Sequence, residues 1–69
     1  MEIKYAKDID ILNIELEPGN FEYSEELAEG IILDIGHDGE ILSIEIFDVS
    51  KRLEEEVTQK IAQKYLAPA

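Results

Sequence analysis

The sequence predicts an α+β domain: an antiparallel β-meander of three to four strands, then one C-terminal amphipathic helix packed on one sheet face. Three features predict it. Residues 10–16 and 31–47 alternate apolar and polar side chains, the period of a half-buried strand. Asp38-Gly39 interrupts the second run with a strong two-residue turn signal. From Val49 onward the apolar spacing changes from two residues to four. Residues 1–69 are read as a single domain, with strands within 2–47 and the helix over about 50–66.

The elements follow in order. Residues 2–5 form a short first strand. In residues 10–16, Leu12, Ile14 and Leu16 share one side, and Ile11, Asn13 and Glu15 the other. Pro18-Gly19 ends that strand, since proline presets φ and glycine supplies positive φ. Residues 21–24 suit a short extended piece, while 24–29 are compatible with a helical turn or an irregular loop. With Asp38-Gly39 as the turn, His37 faces Glu40, Ile35 faces Leu42, Leu33 faces Ile44 and Ile31 faces Ile46. Val49, Leu53, Val57, Ile61 and Tyr65 form the helix stripe, widened by Ala62 and Leu66. Asp48 or Ser50 can cap its start. Glu54, Glu55 and Glu56 precede Lys60 and Lys64, the order the helix dipole favours.

Size and charge then restrict function. A chain of 69 residues has room for one modest core, so regular packing or self-association must supplement it. Cysteine is absent, which excludes disulfides, thiolate metal sites and cysteine nucleophiles; one histidine excludes a His-rich zinc site. Seventeen acidic residues against six basic ones give a net charge of -11, which repels nucleic acid and anionic lipid and attracts a basic protein or a cation. No apolar run reaches the ~18 residues of a membrane span. No basic-then-apolar leader opens the chain, so a cytoplasmic location is expected.

The face opposite the helix is expected to carry Ile11, Asn13, Glu15, Ile32, Asp34, Ile41, Ser43, Glu45 and Phe47. It is too apolar for an ideal solvated face and too acidic for a second core. Ile11, Ile32, Ile41 and Phe47 are its candidate interface, through which a homo-oligomer, most simply a dimer, would bury additional area.

Two constellations bear on chemistry. Asp34-Ile35-Gly36-His37-Asp38-Gly39 followed by Glu45 approaches the calcium-loop pattern of oxygen ligands around a sharp glycine turn. Gly36 stands where a ligand is needed, and the flanks alternate as strands rather than helices, so an acidic hairpin is the better reading. On the same face Asp34 faces Ser43, placing Glu45 diagonally at roughly 7 Å, with Glu15 on the neighbouring strand. Asp34, Glu45 and Glu15 are therefore the candidate metal ligands, weighed against solvated charges in a chain one-quarter acidic. His37 is read as a solvated turn residue, and Tyr5, Tyr23 and Tyr65 as core-edge residues with wet hydroxyls. No catalytic set and no cofactor-binding motif is found.

The run from Ile31 to Ser50, with Tyr5 and the strand Leu12-Asn13-Ile14-Glu15-Leu16, resembles the small prokaryotic family known as domain of unknown function 2283. Asn13 stands where the family has an aromatic residue, Ser43 where it often has glycine, and Val49 where it often has alanine. The resemblance implies a small sheet-plus-helix domain without established activity. It also implies an antitoxin-like role beside a basic partner protein. The expected function is accordingly a non-catalytic, self-associating interaction module, with a divalent-cation binder or metal-dependent enzyme as the alternative.

Overall fold

The computed structural model describes residues 1–68. It is α+β, with five strands and two helical segments. The elements are β1 (Glu2–Ala6), β2 (Ile11–Glu15), β3 (Phe21–Ala28), β4 (Ile31–Gly36), β5 (Ile41–Phe47), α1 (Val49–Arg52) and α2 (Glu55–Tyr65). All strand pairs are antiparallel, in the order β1-β2-β5-β4-β3. The sheet is thus not the simple meander expected. A β1–β2 hairpin joins a β3–β4–β5 meander through the β2–β5 pair.

The additional strand is β3. It includes residues 24–28 of the 24–29 stretch, where Ser-Glu-Glu-Leu-Ala-Glu carries good helix formers. Pairing with β4 overrides that local preference, as tertiary context commonly does. All eight residues of β3 are exposed.

The β4–β5 hairpin keeps most of its expected register. Ile31 pairs with Ile46, Leu33 with Ile44, and Asp34 with Ser43. The turn is longer than expected. Gly36 N–H bonds the Glu40 carbonyl at 2.8 Å, and Gly39 N–H bonds the Gly36 carbonyl at 2.9 Å, leaving His37, Asp38 and Gly39 as the loop. Gly39 adopts φ 83°, the left-handed position that three-residue hairpins assign to glycine. The longer loop pairs Ile35 with Ile41, not Leu42, and a bulge at Leu42 restores the register beyond it. Ile41 thereby joins Ile35 on the helix side, while Leu42 turns toward Gly19 on the opposite side.

The bulge also anchors the β2–β3 connection. The Leu42 carbonyl accepts from Leu16 N–H at 2.8 Å and Glu17 N–H at 3.3 Å. His37 N–H bonds the Asn20 carbonyl at 2.8 Å. Residues 16–20 are therefore laid across the tip of the β4–β5 hairpin.

The register sorts side chains cleanly between faces. On the helix side run the rows Tyr5–Leu12–Ile46–Ile31–Ala28 and Ile3–Ile14–Ile44–Leu33–Glu25. The core centres on Tyr5, Leu12 and the fully buried Val49, with Ile3, Ile14, Ile46, Ile61 and Ala62 packed around them.

The expected single helix over about 50–66 is two segments. Leu53 (ψ 157°) and Glu54 (ψ 148°) are extended, breaking the chain between α1 and α2. Each segment has its own task. Short α1 closes the end of the sheet over Val49, held by Arg52 donating to the Phe47 carbonyl at 2.8 Å and to the Glu29 carbonyl. Gly30, at φ 78°, lies under that guanidinium, where a Cβ would collide with it. Helix α2 then runs across to β1. Neither Asp48 nor Ser50 caps as expected: Asp48 occupies the cap position at φ 55° without a side-chain bond. Among the described residues, no helix is long and apolar enough to cross a membrane.

Candidate functional site

Two polar groupings stand out, one at the end of the sheet and one on its helix-free face. At the sheet end, the β1–β2 loop reverses through Asp10, a residue type that tolerates its φ of 56°. Its backbone carbonyl accepts from Val49 N–H at 3.2 Å. Its carboxylate accepts from Tyr5 Oη at 2.6 Å, Ser50 Oγ at 2.6 Å and Ser50 N–H at 3.1 Å. Asp10 thus caps α1 from forty residues away in sequence, supplying the acceptor that a cap residue normally provides locally.

The electrostatics follow from these bonds. The Tyr5 hydroxyl, bonded to Asp10 and buried beside its charge, is pushed up to about 12. Ser50 and Tyr5 hold the Asp10 carboxyl below its ordinary value. The Tyr5 hydroxyl is therefore not the wet group expected from sequence. Among the described residues, no histidine or lysine base lies in hydrogen-bond contact with Ser50, whose hydroxyl donates to Asp10; the three side chains brace β1, the β1–β2 loop and α1 together.

The helix-free face carries the rows Lys4–Asn13–Glu45–Ile32–Glu26 and Glu2–Glu15–Ser43–Asp34–Ser24, with Ala6, Ile11 and Phe47 beyond them. Asp34 on β4, Glu45 on β5 and Glu15 on β2 share this face. Asp34 is already engaged: it accepts from Ser24 Oγ and Ser43 Oγ, each at 2.7 Å. Among the described residues, no group of three or more His, Cys, Asp or Glu side chains is placed to hold a metal ion. His37 Nδ1 lies 2.7 Å from Glu22 Oε2, an exposed pair linking the hairpin tip to β3.

Of the expected interface residues, Ile11 and Ile32 are half-buried and Phe47 is exposed on this face. Ile41 is not with them, because the Leu42 bulge carries it to the other side. Between Asn13, Glu15, Asp34 and Ser43 lies a shallow depression of about 310 Å³, walled by Pro18 and Gly19. Asn13 Oδ1 is buried there without a hydrogen-bond partner.

Asp10, Ser24 and Glu22 were not legible as site residues in the sequence. The available signal was the Asp8-Ile9-Asp10 turn chemistry, which marks a loop but not its long-range partner.

The family description "protein of unknown function (DUF2283)" matches residues 2–50. The chain belongs to the DUF2283 family. The match spans all five strands and ends on Ser50, so the DUF2283 unit contains the whole Tyr5–Asp10–Ser50 brace. Helix α2 lies beyond the DUF2283 match. No curated protein and no solved structure matches the chain.

Proposed function

We propose that this DUF2283 chain is a non-catalytic, self-associating interaction module whose helix-free sheet face docks a basic protein surface, an antitoxin-like arrangement. The observation that carries the docking reading is the charge sorting imposed by the register. The two rows on that face hold Glu2, Glu15, Glu26, Asp34 and Glu45 against Lys4 alone. Lys4 is bound to Glu2 at 2.9 Å, which raises its pKa and consumes its charge locally.

Carboxylates at that density favour a cationic partner and speed its approach. Half-buried Ile11 and Ile32 and exposed Phe47 add apolar contact among them, the mixed character of a non-obligate interface. The small-domain need for additional burial supports self-association.

The test is capture from native lysate by immobilised chain, with charge reversals as the discriminating arms. A basic protein should be retained by the wild type and by a Glu55→Lys, Glu56→Lys variant on α2. It should be lost with Glu15→Lys, Glu45→Lys and with rising salt. Retention that ignores the face reversal would refute the docking reading.

A further inference from the structure

Helix α2 is 11 residues long and none of them is buried. A free helix of that length is marginal in water, so α2 depends on an apolar surface. Its own sheet supplies only part of one. Ile61 and Ala62 reach the core cluster, but one turn earlier Val57 is 42% exposed, and Leu53 before the helix is 39% exposed. The sheet is incompletely covered in turn. Helix α2 packs chiefly on β1, at one border; Leu33 and Ile35 of β4 are buried, whereas Ile31 of β4 and Ile44 of β5 are only half-buried.

We propose that a second copy of this chain covers that helix-side face, forming a twofold dimer in which Leu53, Val57 and Ile44 of each copy are buried. The proposal deepens the self-association part of the function above and rests on it; it does not depend on the basic partner.

Area and charge both select this occupant. The chain exposes 5046 Å², against about 4,400 Å² for a compact monomer of its mass. The surplus, roughly 600 Å², approaches the ~800 Å² that each partner contributes to a standard interface. A second copy carries the same net charge of -11 and can approach only where the field is weak. The two long helix-side rows hold one carboxylate, Glu25 on the border strand, and the Leu53–Val57 segment adds Glu54, Glu55 and Glu56, the last of them paired with Lys60 at 3.5 Å; the opposite rows hold five with Lys4 alone against them. Like charge therefore steers a second copy away from the acidic face and toward the apolar one. A twofold axis then sets this patch against itself, which its apolar centre permits with the carboxylates kept to its rim.

Sedimentation velocity of the full chain at about 10–100 μM, a range suited to modest dimers, tests the proposal. The wild type should be dimeric. Val57→Lys and Leu53→Lys should each weaken the dimer at least about tenfold, because an unpaired ammonium would be buried. Ile32→Lys, on the acidic face, should leave it intact. A wild type that stays monomeric would end self-association and this proposal together. A dimer dissolved by Ile32→Lys but indifferent to Val57→Lys would overturn the face while leaving self-association standing. Hydroxyl-radical footprinting of the wild type on dilution gives the same reading without substitutions. Val57 and Leu53 should gain reactivity as the dimer dissociates while Ile32 does not, and the reverse pattern would overturn the proposal.

Discussion

Asp10 joins three parts of the chain through one carboxylate: the first strand by Tyr5, its own loop, and the start of α1 by Ser50. Tyr5→Phe removes one of these bonds while keeping the ring that packs in the core. The expected cost is about 0.5–1.5 kcal/mol, or several degrees in Tm for a domain this small. The pH dependence follows from the shifts. The folded state favours protonated Tyr5, whose pKa rises from 10.0 to about 12, so this stabilisation is complete below 10 and lost as pH climbs toward 12. Asp10 is depressed in the fold, so its contribution is present above its ordinary value of 3.8 and lost as pH falls through the lower folded value. Denaturant melts of wild type and Tyr5→Phe should therefore converge as pH rises from about 10 to 12. A gap that stays constant over that range would argue against the Tyr5–Asp10 bond.

At the scale of the element, the two sheet borders are protected by different means. The outer edge of β1 is met by the tail: Leu66 bridges Tyr5, and Ala67 N–H bonds the Tyr5 carbonyl at 2.9 Å. The outer edge of β3 has no such cover among the described residues. It carries Glu22, Glu25 and Glu26, with bulges between Phe21 and Tyr23 and between Glu26 and Ala28. Charges and bulges are the devices that keep an open edge from pairing with another chain. Replacing Glu25 and Glu26 with threonine preserves strand preference and removes the repulsion. The expected outcome is a folded protein whose light scattering grows with time and concentration, while the wild type stays clear.

For the molecule as a whole, the two proposed surfaces should respond to salt with opposite signs. Two copies at -11 repel each other beyond their contact, so screening should tighten the dimer. A basic partner is held on the acidic face by attraction, so screening should loosen it. Raising sodium chloride from about 0.05 to 0.5 M, which shortens the Debye length severalfold, should strengthen self-association in sedimentation and weaken partner retention in capture. Salt effects of the same sign would show that the two contacts are not electrostatically distinct.

What sequence alone determined is what local periodicity encodes. The alternation of 31–47 and the Asp38-Gly39 signal led to the β4–β5 hairpin, the Leu33–Ile44 and Ile31–Ile46 pairs, and the placement of Asp34 opposite Ser43. The change of period at Val49 located the helical C-terminus to within a residue at each end. Only the tertiary structure decided the rest. Residues 24–28 are strand because β4 offers them a ladder, against their own helical preference. The Leu42 bulge exists because a three-residue loop must be reconciled with a register set by the sheet, and it moved Ile41 off the face where alternation had put it. The helix breaks at Leu53-Glu54 because one end must close the sheet beneath Asp10 and the other must reach β1. The Asp10 brace spans forty residues of chain, a separation that no local pattern records.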